Sequence, residues 1–191
     1  MTDQIETKKG SCMIYQGNTY KRIILVGSGG SGKSYLSKHI ACITKQPLIH
    51  LDNEYWKPGW TETPKSEWIA RQENLIEGES WIIDGNYNST LELRFTAADC
   101  VIFMDRNRLA CIYGAWRRHG KKRTDLPAYL DEKKDKEFFE FLKYIWKFPQ
   151  QSRSKILQLH NKYPEKKFIV LKSRGEIKKF MKEIKYNADK D

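Results

Sequence analysis

Five short apolar runs recur along the chain, at residues 22–26 (RIILV), 47–51 (PLIHL), 81–83 (WII), 101–104 (VIFM) and 168–171 (FIVL). They lack polar alternation, the pattern of strands buried on both faces of a parallel sheet. Helical periodicity fills the intervals. Residues 34–43 follow the first run and 108–119 the fourth; residues 68–76 follow the second, with Thr63 placed as N-cap and Pro64 at the first helical position. After the fifth run Ile177, Phe180, Met181 and Ile184 repeat at helical spacing, behind Ser173 and Glu176 set as a capping box. Strand and helix in alternation predict an α/β layer fold.

Two stretches break the rhythm. Residues 120–136 (GKKRTDLPAYLDEKKDK) are highly charged and read as a surface excursion between strands four and five. Beyond them Phe138, Phe139, Phe141, Leu142, Ile145 and Trp146 form an amphipathic helical stripe ended by Pro149, and a further helix is expected over 152–161. Trp68, Trp116 and Trp146 fall on helix faces, where core positions are expected. Residues 1–19 show no periodicity and read as an N-terminal extension to a single domain over 20–191, a length that suffices for one buried core.

Composition narrows the class. With 39% hydrophobic and 31% charged residues the chain resembles an ordinary soluble protein, and no apolar run approaches the length that crosses a bilayer. Its opening, MTDQIETKKG, lacks the layout of a secretory signal, so a cytoplasmic protein is expected. Cys12, Cys42, Cys100 and Cys111 form no CxxC pair and no zinc spacing, as for reduced thiols. The net charge of +11 is uneven: residues 1–105 hold 11 Lys and Arg against 13 Asp and Glu, whereas residues 106–191 hold 24 against 11. Such a field favours a phosphate-bearing partner, whether nucleotide, phosphorylated product or nucleic acid.

The sharpest motif is GSGGSGKS at residues 27–34, where Gly27, Gly32, Lys33 and Ser34 satisfy GxxxxGK[ST] and Gly29 and Gly30 add freedom inside it. A loop of this kind turns successive backbone N–H groups toward a phosphate, in conformations that a Cβ would obstruct. It lies between an apolar strand and a helix, so Gly27, Ser28, Gly29, Gly30, Ser31, Gly32, Lys33, Ser34 and Tyr35 are expected to hold ATP. Lys33 would meet the β- and γ-phosphates and the Ser34 hydroxyl would ligate Mg2+.

Ligands of open α/β sheets bind beyond the carboxyl ends of the strands, and three acids sit there. Asp84 follows strand three as a metal-holding aspartate would. Asp52, after strand two, is a proton acceptor for a substrate hydroxyl, a substrate hydrogen-bond partner or a structural cap. Asp105, after strand four, reads first as an N-cap and less readily as catalytic. Tyr55, Trp56, Trp60 and Tyr87 lie near the same edge, placed either to stack on a substrate ring or to pack the core or lid.

The order HLDNEYWKPGW (50–60), WIIDGNY (81–87), FMDRNR (103–108) and WKFPQQSR (146–153) resembles the bacterial family of DNA topology modulation proteins, P-loop proteins of the adenylate-kinase-like group, from about Lys21 to Phe180. The resemblance implies a five-stranded parallel sheet in the order 2-3-1-4-5, helices on both faces, and a lid over residues 120–136. It implies further that Arg117 and Arg118 act as lid arginines on the transferring phosphoryl group, with Arg123 and Arg153 able to swing in; the alternative for each is a solvated cation favourable to a helix dipole. Residues 172–175 would border the adenine, so that Arg174 joins the nucleotide contacts. The related nucleoside monophosphate kinases carry DGFPR after strand three; here Asp84-Gly85-Asn86-Tyr87 offers no arginine at the matching place, which argues against a nucleoside monophosphate acceptor.

The expectation is an ATP- and Mg2+-dependent small-molecule kinase in which Lys33, Asp52, Arg117 and Arg118 carry the chemistry. The alternative is an ATP-binding regulator of DNA topology, favoured by the basic second half but lacking a helix-turn-helix, zinc finger or aromatic-basic sheet platform. An ATPase without an acceptor is a third reading, weakened because the chain has no separate partner domain to use the energy.

Overall fold

A computed structural model describes residues 12–120 and 135–187 of the protein. The chain opens with β1 (Cys12–Tyr15), β2 (Asn18–Tyr20) and β3 (Arg22–Gly27), then the helix α1 (Lys33–Thr44). There follow β4 (Leu48–His50), α2 (Leu51–Tyr55), the hairpin β5 (Trp56–Lys57) and β6 (Thr61–Glu62), and α3 (Lys65–Ile76). Next come β7 (Trp81–Asp84), α4 (Leu91–Ala97), β8 (Cys100–Met104) and α5 (Arg108–Trp116). The remainder is α6 (Asp135–Phe148), a π-helical turn at Pro149–Arg153, α7 (Ser154–Lys162), β9 (Lys167–Val170), α8 (Arg174–Glu183) and β10 (Lys185–Asn187).

The five apolar runs become one parallel sheet in the order β4-β7-β3-β8-β9, which is the expected 2-3-1-4-5 arrangement. Period-two geometry splits each run between two cores. Ile23 and Leu25 of β3 join Cys100, Ile102 and Met104 of β8 on the face covered by Leu36 and Ile40 of α1 and Ile177 and Phe180 of α8. Ile24, Val26, Val101 and Phe103 face the other way, onto Trp68 of α3, Phe95 of α4 and Ile156 of α7. Each fully buried side chain of this size contributes about 1.5–3 kcal/mol relative to exposure. The sheet therefore holds its carboxyl edge rigidly. A third cluster, Cys111, Ala115 and Ile145, joins α5 to α6.

Several expectations are corrected. Residues 12–20 are no loose extension: β1 pairs antiparallel with β2 and with β10, and Met13 is buried against the α1–α8 core. Thr63 does not cap α3; its hydroxyl donates to the Tyr55 carbonyl at 2.5 Å, and Pro64 stands at the cap position. α6 ends at Phe148, directly before Pro149 as expected, but the chain runs on through the π turn into α7. Trp68 is buried at 2% exposure, but Trp116 and Trp146 are 64% and 50% exposed, with the Arg108 guanidinium 4.6 Å above the Trp146 ring. Half of the expected capping box forms, Ser173 Oγ accepting from Glu176 N at 3.1 Å, whereas the Glu176 carboxylate accepts from Lys172 N at 2.7 Å, one residue before the cap. Residues 121–134, which make up most of the expected lid and include Arg123, lie outside the described residues.

Candidate functional site

At the carboxyl end of β3 the chain enters the glycine-rich loop at Gly27, whose φ is +145°. A Cβ there would stand 2.6 Å from the Met104 carbonyl oxygen, and at Gly30 (φ +71°) one would stand 2.0 Å from the Cys111 carbonyl oxygen. Gly114 of α5 faces Gly30 just as closely, its hypothetical Cβ 2.3 Å from the Gly30 oxygen. The loop is thus pressed backbone to backbone against α5, in conformations open to glycine. Ser28 and Ser31 are buried, and Ser31 N donates to the Ser28 carbonyl at 3.3 Å.

Lys33 opens α1 and curls back to donate from Nζ to the Ser28 carbonyl at 3.0 Å. Burial pulls its pKa below the ordinary lysine value, while the negative charges of Asp84 and Asp52 oppose that shift.

Asn86 fixes the loop from the neighbouring strand end. Its Oδ1 accepts from Gly27 N at 2.9 Å and its Nδ2 donates to the Gly27 carbonyl at 2.7 Å and to Tyr144 Oη at 3.0 Å. Behind it Arg94, fully buried, donates to the Asn86 carbonyl, to Thr90 Oγ1 at 2.7 Å and to Gln72 Oε1 at 2.5 Å. None of these partners is charged, and burial lowers the guanidinium pKa to about 9. Sequence reasoning noted Asn86 only as part of a turn that lacks an acceptor-binding arginine and passed over Arg94. The available signal was the Asp-Gly-Asn turn directly after a buried strand.

The three acids part company. Asp84 closes β7 at 5% exposure; its Oδ2 lies 3.1 Å from His50 Nδ1, and its Oδ1 is buried without a hydrogen-bond partner. Asp52, in α2, is exposed and accepts from the Tyr87 hydroxyl at 2.8 Å. Burial first, then the Asp52 charge, raises the Tyr87 pKa and keeps its proton in place as that donor. Asp105 is neither N-cap nor part of the cleft: it holds Arg153 in a two-pronged ion pair at 2.9 and 3.0 Å, which engages the arginine expected to swing in. Asn107 caps α5 instead, accepting from Leu109 N at 2.8 Å.

These parts border one cleft of about 890 Å3. Its floor is the loop from Gly29 to Lys33, Ser34 and Tyr35. Toward β4 and β7 lie His50, Asp52, Trp56, Trp60, Asp84 and Tyr87. Toward β8 and β9 lie Arg106, Arg117, Arg118, Arg174 and Lys178. Of the residues expected to hold the nucleotide and metal or to carry the chemistry, all but Gly27 and Ser28 border this cleft. Arg106, which donates to the Ser31 carbonyl at 3.4 Å, is an addition, as is His50. Tyr55 does not line the cleft; it packs edge-on against Trp68 at 5.0 Å and against Tyr87 at 4.7 Å.

Among the described residues no group of three or more His, Cys, Asp or Glu is arranged to hold a metal. The orphaned Oδ1 of Asp84, in a cleft that Ser34 also lines, suits a cation that draws most of its ligands from phosphate and water, as Mg2+ does. No described helix is long and apolar enough to cross a membrane.

Comparison with protein-family profiles gives no match, and no curated protein matches the sequence. Solved structures do match in fold. A shikimate kinase from Acinetobacter baumannii in complex with shikimate aligns at 12% identity and a TM-score of 0.53, covering 85% of this chain and 89% of that one. A gluconokinase from Sinorhizobium meliloti 1021 aligns at 15% identity and a TM-score of 0.50, covering 85% and 88%. The chain has the fold of these P-loop kinases.

Proposed function

We propose that this protein is a small-molecule kinase, binding ATP with Mg2+ on the loop at residues 27–34 and transferring the γ-phosphoryl group to an acceptor beside Asp52. The observation that carries this reading is that Lys33, Ser34, Asp84, Asp52, Arg117 and Arg118 all border one cleft. The fold shared with a shikimate kinase and a gluconokinase is in keeping with it.

The loop N–H groups and Lys33 hold the β- and γ-phosphates, and Arg106, Arg117 and Arg118 offset charge on the transferring group. Ser34 and Asp84 would hold the Mg2+, which when bound screens the phosphate oxygens; His50 orients the Asp84 carboxylate through its 3.1 Å contact. Asp52 is fixed on one oxygen by Tyr87, which leaves the other for the acceptor. The acceptor oxygen bonds to the γ-phosphorus, the bond to the bridging oxygen breaks to leave ADP, and the acceptor proton passes to Asp52. Arg174 and Lys178 flank the remainder of the nucleotide.

A relation to DNA topology modulation proteins draws on the sequence motifs alone, and five of the cations of the basic half are accounted for by a nucleotide in this cleft. The test is a transfer assay with labelled ATP and Mg2+ across hydroxylated metabolites. Transfer to a definable acceptor, reduced at least about a thousandfold by Lys33→Ala, is expected. Normal ATP binding with no transfer to any acceptor refutes the reading.

A further inference from the structure

The strand order places the ends of the cleft, and their side chains differ in charge. Among the described residues every lysine or arginine lining the cleft, apart from Lys33 at its centre, follows β8 or β9. Both carboxylates that line it, Asp52 and Asp84, follow β4 or close β7. The β4–β7 end adds Trp56 and Trp60, ring centroids 5.5 Å apart, together with Tyr87.

Among the described residues, four cations carried by the elements on that side are committed elsewhere. Lys57 pairs with Glu67 at 2.8 Å, Arg71 with Glu54 at 2.5 Å, and Lys155 donates to the Asn88 carbonyl at 2.6 Å. Arg94 is turned inward onto Gln72, Thr90 and the Asn86 carbonyl. None of the four lines the cleft.

Recognition of a carboxylate or phosphate calls for an arginine fork, a lysine or a helix N-terminus, and juxtaposed like charges are penalised. The β4–β7 end supplies the opposite: aromatic rings and the Asp52 carboxylate, which accepts from Tyr87 on one oxygen, while Asp84 is given over to the Mg2+. Ring faces take apolar C–H edges or a cation, and the carboxylate takes hydroxyl or ammonium protons. Resting on the kinase reading, we propose that the acceptor is a hydroxylated ring compound bearing no phosphate or carboxylate, uncharged or cationic.

Equilibrium binding to the full chain with Mg-ADP in place tests this, using sets that share one ring: glucose, glucosamine, gluconate and glucose 6-phosphate; adenosine and AMP. The members without an anionic group are expected to bind at least tenfold more tightly than their anionic partners. Glucosamine binding above glucose assigns a cationic acceptor, and equal binding an uncharged one. Asp52→Asn is expected to shrink the discrimination against anions severalfold. Anionic members binding as tightly as the others, or no member of any set binding, overturns the proposal. The same compounds, run with labelled ATP, judge the kinase reading separately: the expected binding order without any transfer upholds the subsite and refutes the kinase.

Discussion

The β4–β7 and β8–β9 halves of the cleft stand on the same edge of one parallel sheet, yet they are built by different means. The β8–β9 half is a set of cations at helix ends, Arg117 and Arg118 after α5 and Arg174 and Lys178 on α8, around a loop whose strained positions are glycines. The β4–β7 half holds its shape with large side chains: Trp60 and Tyr87 take left-handed backbone conformations, with φ of +58° and +39°, at a cost that packing and the Tyr87–Asp52 hydrogen bond must offset. Sheet topology fixes where ligands meet. The chemistry comes from the few residues past each strand end, and here those residues suit phosphates on one side and hydroxyl or amine groups on the other.

The sharpest way to separate the halves is to alter Asp52. Asp52→Asn keeps the shape and an acceptor for the Tyr87 proton but removes the proposed base, so kcat is expected to fall by about 10^2–10^4 while the KM for ATP stays within about twofold. Steady-state kinetics with both substrates varied checks this. An equal rise in the KM for ATP would show that the two halves are not independent.

A smaller effect is expected where the halves join. Asn86 grips both backbone groups of Gly27, and Asn86→Ala leaves them unpartnered near the loop, at about 1–3 kcal/mol of stability. ATP affinity should drop by about tenfold, in line with a loop less well held. Denaturant unfolding and ATP titration measure the two losses, and unchanged affinity would show that the glycine packing alone holds the loop.

How far the sequence foretells this depends on the distance over which each feature is encoded. The sheet was legible because every central strand carries its burial in consecutive residues, as Ile23 to Val26 do, and the phosphate loop because its pattern is contiguous. The β1–β2 hairpin was not: its strands are short, and β1 pairs with residues 185–187 at the other end of the described chain. Asn86 and Gly27 are 59 residues apart and Asp105 and Arg153 are 48 apart, so neither pairing leaves a local signature. Trp116 and Trp146 show the converse, since an amphipathic stripe announces an apolar face without showing whether another element covers it. The basic second half was plain in composition, whereas the polarity of the cleft appeared only once the strand order set β4 and β9 at opposite edges.

The charge balance at Lys33 allows a finer probe. Its ammonium must be protonated to attract phosphate, and burial sets its pKa below the ordinary lysine value, so nucleotide affinity should be lost as pH rises through that lowered value. Asp84 is the largest contribution holding the pKa up; Asp84→Asn should therefore move the loss to lower pH. Titrations with ADP in the absence of magnesium keep the metal out of the comparison. A shift to higher pH would contradict the assigned charge balance.

The smallest expected effect concerns the aromatic next to the two cleft arginines. Trp116 is 64% exposed on α5, its ring centroid 6.5 Å from that of Tyr113, and it does not line the cleft. Replacing an exposed side chain of this kind with serine changes stability by no more than about 0.5 kcal/mol. Trp116→Ser should thus leave kcat and both KM values within about twofold, whereas Trp60→Ser, on the opposite half, should raise the KM for the acceptor alone by at least about fivefold, the order of a lost ring-face contact. Matched kinetics on the two variants distinguish an aromatic that receives substrate from one that only adjoins the phosphate side, and a raised acceptor KM in Trp116→Ser would extend the acceptor site across to α5.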